Sequence, residues 1–375
     1  MAGIYIHIPF CKQKCTYCDF HFSTTFEEYR QKMIESIANE FVERKDYLEN
    51  KGINTIYFGG GTPSLLDQNE LQIIINAIYQ NFDVDEGIEI SLEANPDDIT
   101  DEKLEDWTAV GINRLSIGLQ SFKTEDLEWM NRAHTVDEAL TCVRKAQEAG
   151  ISNLTVDLIY GLPNLSLDEW KSHIQQVLDF GVPHISAYCL TVEENTALNN
   201  LVNKGKMTVA DDDQQSDQFK LLVSLLEENG FDQYEISNFS KAGFESKHNS
   251  NYWKGEWYLG VGPSAHSFNG LSRAWNVANN RKYLAAIDKG ENHLETEILS
   301  SENQFNEYLL TGLRTAYGVD LQKLKKIAPL NNLFTVNCAT FINEGWMVST
   351  NNVLILTKEG RLKADYIASE LFSVD

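Results

Sequence analysis

The strongest constraint on the fold is an alternation that runs through the first half of the chain. Short apolar runs rich in Ile, Leu and Tyr are followed, again and again, by longer stretches with helical periodicity. The apolar runs cover Gly3 to Ile8, Asn54 to Phe58, Ile88 to Glu93, Arg114 to Gly118, Thr155 to Ile159 and His184 to Leu190. Between them, helices are expected over Phe26 to Leu48, Asp67 to Tyr79, Thr100 to Val110 and Ser166 to Phe180, with two short ones within Thr124 to Ala149. Strand–helix alternation makes neighbouring strands parallel, because each crossover must return over the sheet before the next strand can pair. Six such units fall two short of a closed eight-stranded barrel, so an α/β fold built on a partial (β/α)6 barrel is expected. In barrels of this kind the loops leaving the C-terminal strand ends build the functional site.

The pattern changes after about residue 210. A helix is expected from Asp211 to Asn229, and Tyr234 to Ile236 reads as an added strand. Phe239 to Trp275 is irregular, crowded with aromatics and glycines. From Ser301 the chain is helical, ending in a hairpin (Trp346 to Val348 and Val353 to Leu356, joined across Asn351 and Asn352) and a last helix from Arg361 to Phe372. Three regions follow: residues 1–210, a barrel; residues 211–300, a connecting and substrate-covering region; and residues 301–375, a smaller α+β domain with a winged-helix-like end. In residues 318–375 the basic side chains Lys323, Lys325, Lys326, Lys358, Arg361 and Lys363 are matched by Asp320, Glu344, Glu359, Asp365, Glu370 and Asp375. A winged helix so balanced is a poor ligand for DNA phosphates, and a packing or covering role is expected.

The whole chain carries a formal charge of −24, with no basic stripe, which argues against nucleic acid as a partner. Hydrophobic content of 42% and charged content of 23% are those of a soluble globular protein. No apolar run reaches membrane-spanning length and no leader precedes the first strand, so a cytoplasmic location is expected. Of the six cysteines, Cys142, Cys189 and Cys338 are scattered and read as small buried hydrophobes.

The other three are not scattered. Cys11, Cys15 and Cys18 form a C-x3-C-x2-C pattern on the loop leaving the first strand. Three thiolates so close can converge on one centre, and thiolate sulfur suits zinc or iron–sulfur chemistry. A four-iron cubane held by three cysteines leaves one iron open to another ligand. The competing reading is a Cys3His zinc site completed by His21. A disulfide is disfavoured, since three clustered cysteines cannot all pair. Further along, Gly59-Gly60-Gly61-Thr62-Pro63 lets backbone approach a ligand without side-chain clash. Glu93, Gln120 and Asp157 stand at or just beyond strand ends, where a carboxylate or amide can meet a ribose or an ammonium. Arg132 can pair with a carboxylate through its planar fork.

The cysteine spacing on this loop resembles the radical S-adenosylmethionine (SAM) superfamily. The resemblance implies that Cys11, Cys15 and Cys18 hold a [4Fe-4S] cluster whose open iron binds SAM, which one electron cleaves to a 5′-deoxyadenosyl radical. The motifs Tyr5-Ile-His7-Ile-Pro9-Phe-Cys11, Gly59 to Pro63, Glu93 to Pro96, Gly118 to Ser121 and Asp157 to Pro163 are similar, in the same order, to the oxygen-independent coproporphyrinogen III oxidase family. Carried over by motif, Tyr5, Gly60, Gly61, Thr62, Glu93, Gln120, Arg132 and Asp157 would line the SAM pocket. The family's dehydrogenase has a fourth cysteine where this chain has Phe20, and an extension before the first strand, which here begins at Gly3. Both departures resemble the branch of haem chaperones. Lys247 to Trp253 resembles that branch's H-N-x-x-Y-W motif, which would bring His248, Tyr252 and Trp253 to haem. The run Tyr258 to Ser267 also resembles the family, as a glycine-rich loop near the substrate mouth. The resemblance thus implies a protein that binds haem with a [4Fe-4S] cluster and SAM and passes haem to a respiratory acceptor. It would touch a membrane only through that acceptor and would need an electron donor. Oxidative decarboxylation of coproporphyrinogen III to protoporphyrinogen IX is the alternative. The residues themselves single out no catalytic side chain.

Overall fold

The computed structural model describes residues 1–49 and 51–373. The six expected parallel strands form and lie side by side in chain order: β1 (Ala2–Ile8), β2 (Ile53–Gly60), β3 (Val84–Ala94), β4 (Arg114–Gln120), β5 (Leu154–Tyr160) and β6 (His184–Cys189). Between them run α1 (Arg30–Glu43), α2 (Gln68–Asn81), α3 (Asp101–Ala109), the pair α4 (Thr124–Trp129) and α5 (Val136–Glu148), and α6 (Leu167–Asp179). Local chemistry fixes the helix starts. Asp67 with Glu70, Thr135 with Glu138 and Ser166 with Glu169 form reciprocal capping boxes at α2, α5 and α6, satisfying backbone N–H groups that would otherwise lack partners.

Alternation along each strand sorts the side chains. Ile4, Ile6 and Ile8 are fully buried outward against the helices, while Gly3, Tyr5 and His7 face the barrel interior. The inward set on the other strands is polar: Tyr57 on β2, Glu93 on β3, Arg114 and Ser116 on β4, Asp157 on β5, and His184 and Ser186 on β6. A barrel filled with polar groups is unusual as a core, because each must be hydrogen-bonded or wetted. Here that interior is a cavity.

After β6 come α7 (Ala197–Asn203) and α8 (Asp212–Glu228), then the two short strands β7 (Asp232–Gln233) and β8 (Asn238–Ser240). Antiparallel β8 closes on β6. The added strand expected at Tyr234 to Ile236 is instead the turn between these two; only Glu235 makes a bridge there, to Thr315. The stretch expected to be irregular is ordered. It holds α9 (Lys247–Trp253), β9 (Trp257–Val261), β10 (His266–Phe268) and β11 (Ser272–Asn276). Beyond it lie α10 (Asn280–Lys289) and β12 (Leu294–Ile298). β9 pairs parallel to β1, and β10, β11 and β12 follow antiparallel, so the sheet continues past the first strand to twelve strands. The aromatics hide this extension in the sequence because they sit on short strands separated by glycine turns.

One buried carboxylate fastens the extension. Glu40 of α1 is fully buried and accepts from Arg44 Nη1 (2.9 Å), Asn276 Nδ2 (2.9 Å), Tyr283 Oη (2.7 Å) and the Gly262 N–H (2.9 Å). His293 Nε2 lies 3.4 Å away. Burial alone would raise this carboxyl, but His293, Arg44 and the other donors together hold it below its ordinary value.

The barrel core takes side chains from Ala2 to Ile287, so residues 212–287 pack as part of it. A second core runs from Phe305 to Leu371. It is built from α11 (Ser301–Leu313), β13 (Val319–Asp320), α12 (Leu321–Ile327), α13 (Asn332–Asn343), β14 (Met347–Thr350), β15 (Val353–Leu356), α14 (Lys358–Arg361) and α15 (Ala364–Leu371). The three strands pair in the order β13-β15-β14, and the β14–β15 hairpin turns at Asn351 and Asn352, both left-handed (φ 53° and 66°), as an Asn-rich two-residue turn requires. Among the described residues no helix is long and apolar enough to cross a membrane.

Candidate functional site

A cavity of about 560 Å³ occupies the barrel, running from the Cys11–Cys18 loop at the C-terminal strand ends down to Ser246 and Asn249 at the start of α9. That size is in the range of small-molecule pockets. Cys11, Cys15 and Cys18 all line its upper end and all are free thiols.

Their loop is pinned from three sides. Cys11 N–H donates to Ser23 O (3.1 Å) and Ser23 N–H to Pro9 O (2.9 Å), closing the loop's base. Thr16 N–H donates to Met130 O (3.0 Å), and Asn131 Nδ2 to Lys14 O (2.7 Å), tying it to the segment after α4. Thr62 Oγ1 points at Cys11 Sγ (3.4 Å) and Arg132 Nη1 at Cys15 Sγ (3.5 Å). Burial pushes the Cys11 thiol up to about 11 and the Cys18 thiol up to about 12. Burial thus disfavours the thiolate at Cys11 and Cys18, and a bound cation would have to displace those protons.

The donor set fits a cluster better than a single ion. All three donors are soft thiolates on one loop, the ligand type that a cubane takes at separate corners. His21 does not complete a zinc set: its Nε2 donates to Asn280 Oδ1 (2.7 Å).

The glycine loop after β2 is pressed against this loop. A Cβ on Gly61 would come within 2.5 Å of Phe10 O and 2.8 Å of Ile8 O, and one on Gly60 (φ +104°) within 2.6 Å of the His7 ring. Only glycine allows both loops to share the space. The Gly60 N–H donates to Glu93 Oε2 (3.2 Å), and Tyr57 Oη donates to Glu93 Oε1 (2.8 Å). Burial raises the Glu93 carboxyl to about 7 and that of Asp157 to about 6. Asp157 accepts from Ser116 Oγ (3.1 Å).

Arg132 is held by Asn95 Oδ1 (2.7 Å) and Gly118 O (3.0 Å), leaving its Nε buried without a partner. A guanidinium so placed fits a ligand carboxylate. Gln120 adopts a left-handed backbone (φ 65°) at the end of β4, a conformation rare for non-glycine residues. This turn brings its amide back over Gly118, within 2.8 Å of where a Cβ would stand, and into the cavity.

Of the sequence candidates, Gly60, Gly61, Thr62, Glu93, Gln120, Arg132 and Asp157 line the cavity with the cysteines. Tyr5 does not. Its ring stacks on Tyr57 (6.2 Å, 22°), and its hydroxyl donates to His7 Nδ1 (3.2 Å), whose Nε2–H is spent on His21 O (2.7 Å). Its contacts are with Tyr57 and His7 rather than with the cavity.

His248, Tyr252 and Trp253 all lie on α9, in different surroundings. His248 turns into the barrel floor, bonded through Nδ1 to Thr55 Oγ1 (2.9 Å) and stacked on Tyr57 (5.0 Å, 24°). Burial lowers it to about 4, so it is neutral. Tyr252 is exposed and packs on Tyr258 (5.3 Å). The physical reason is Glu89, which accepts from the N–H groups of Lys247 and His248 (both 3.2 Å) and seats α9 across the strand bottoms. Residues that the sequence does not single out are Tyr57, Asn95, Arg114, Ser116, His184 and Ser186. Counting back two residues at a time along the strands from Gly59 and Gly118 reaches Tyr57, Ser116 and Arg114.

The fold and this site define a radical SAM protein, the class that carries a [4Fe-4S] cluster and SAM. Residues 5–177 match the family model described as the radical SAM superfamily. The solved structure of coproporphyrinogen III oxidase (HemN) from Escherichia coli, a radical SAM enzyme, superposes with a TM-score of 0.85 at 21% identity, covering 99% of this chain and 90% of that one. Nearer in sequence is the heme chaperone HemW of Bacillus subtilis, 34% identical over 96% of this chain and 97% of its own. HemW of Haemophilus influenzae is 31% identical over 96% and 95%. The chain belongs to the HemW family.

Proposed function

We propose that this protein is a haem chaperone that binds haem, carries a [4Fe-4S] cluster with SAM, and hands haem to an acceptor protein. The observation that carries this reading is its near-full-length relation to the Bacillus subtilis heme chaperone. Phe20 supports it. This residue stands where the resemblance places the dehydrogenase's fourth cysteine, and it lies 63% exposed on the rim of the cavity.

Cys11, Cys15 and Cys18 would hold the cluster, which supplies an open iron and one-electron chemistry when bound. Gly60, Gly61 and Thr62 present backbone and hydroxyl donors, and Arg132 offers its unpartnered Nε to the carboxylate of SAM. Glu93, Gln120 and Asp157 offer acceptors and an amide to the rest of that ligand. The haem is taken to enter the same cavity, above the floor where the His248 ring bonds Thr55 through Nδ1 and stacks on Tyr57.

The test is transfer. Haem-loaded protein is mixed with a haem-free acceptor such as apomyoglobin, and the Soret bands are followed. Retention of stoichiometric haem through desalting, then its appearance in the acceptor, is the expected result. Failure to retain haem overturns the reading.

A further inference from the structure

Two guanidinium groups line the cavity at two depths. Arg132, near the cysteines, is accounted for by the carboxylate of SAM. Arg114 is not. It is the first residue of β4, four residues before Gly118, which places it about 13 Å deeper along the strand. It is 2% exposed.

Its partners are all neutral. Nη1 donates to Asn153 Oδ1 and, at 3.4 Å, to Phe244 O, and Nη2 donates to Thr155 Oγ1 (2.6 Å). Among the described residues no carboxylate oxygen lies within 4.0 Å of it. Asp157, the acid that feels its charge, spends its oxygens on Ser116 (3.1 and 3.2 Å). His184 beside it bonds Tyr234 Oη (2.8 Å) and stays neutral through burial and the Arg114 charge. A buried guanidinium with no carboxylate in direct contact is costly in an apo protein, and this one faces an open cavity.

We propose that the lower barrel is a second ligand compartment in which Arg114 receives a carboxylate of the bound ligand. Under the haem-chaperone reading, on which this inference rests for its ligand, that carboxylate is a propionate of the tetrapyrrole. The upper guanidinium and the lower one thus divide the cavity into a cofactor level and a cargo level.

Haem and its propionate dimethyl ester, titrated into cluster-reconstituted protein, test this directly. Arg114→Gln should bind haem at least tenfold more weakly than the parent while binding the ester as the parent does, with SAM affinity unchanged. Arg114→Lys, which keeps the charge, should recover part of the loss. Equal haem affinity in parent and Arg114→Gln overturns the inference and leaves the chaperone reading standing. An equal loss for haem and ester also overturns it, because the residue would then act only through the fold. Should Arg114→Gln not fold, the parent alone decides: haem bound at least tenfold more tightly than its ester supports the inference, and equal binding of the two overturns it. A parent that binds no haem removes both the reading and the inference.

Discussion

Gly61→Ala tests the fit between the glycine loop and the cysteine loop. Gly61 is not in the left-handed region, so alanine is conformationally acceptable there and the effect is steric. The new Cβ would stand 2.5 Å from Phe10 O, 2.8 Å from Ile8 O and 2.9 Å from Phe10 N. All three are backbone atoms, so no side chain can swing away. Overpacking of this kind costs about 1–3 kcal/mol. Parting the loops also stretches the Gly61 N–H to Ile8 O bond (2.8 Å), a further loss of about 1 kcal/mol. The separation falls one residue before Cys11, so the damage is local to the site. The expected result is a urea midpoint lowered by an amount worth about 2–4 kcal/mol, with SAM affinity of the reconstituted protein down at least tenfold. Gly87→Ala is the control. That glycine has φ +74° and nothing within 4 Å of its added Cβ, so it should cost about 1–2 kcal/mol of backbone strain and leave SAM binding alone. A Gly61→Ala protein with parental stability and parental SAM affinity would refute the claim that the two loops must touch.

Other consequences are equally direct. Glu40→Ala leaves Arg44 buried without its counter-ion and should destabilise by about 3–5 kcal/mol in urea melts, while Glu40→Ala with Arg44→Met should recover much of it; no recovery would mean the pair is not the cause. Arg132→Lys keeps charge but not the fork, and calorimetry should show SAM affinity reduced at least tenfold with iron content intact. The Glu93 carboxyl sits at about 7 when folded, above its unfolded value, so the folded state binds more protons and this group's contribution falls as pH rises from about 5 to 8. The stability of Glu93→Gln relative to the parent should therefore improve across that window, and a pH-independent difference would contradict the burial of an ionisable group there.

Much of this is legible in the sequence, for physical reasons. Strand–helix alternation and capping residues such as Asp67, Thr135 and Ser166 act locally, so the six parallel units can be read with ends wrong by only a few residues. The cysteine loop and Gly59 to Pro63 are legible because their chemistry is compressed into a few adjacent positions. What stays hidden depends on distant pairing. β9 lies parallel to β1 although more than two hundred residues separate them, and no periodicity in Trp257 to Val261 announces that neighbour. Glu40 looks like a solvated helix residue until Asn276, Tyr283 and His293 are folded against it. The direction of the His248 ring is hidden for the same reason: its motif gives a ligand-like spacing, but Thr55 and Tyr57 decide where the ring points. Arg114 reads as the first residue of an ordinary strand, and only the barrel's curvature turns it into the wall of a cavity.

The most direct test of the account is made on one anaerobic sample. The cluster is reconstituted, its iron content is verified, and SAM, a strong reductant and coproporphyrinogen III are added while the porphyrin products are separated chromatographically. Haem binding is then measured on the same preparation. The account predicts unchanged coproporphyrinogen III together with stoichiometric haem binding. Accumulation of protoporphyrinogen IX would contradict it, showing that Phe20 does not prevent the decarboxylation and that this barrel is an enzyme's.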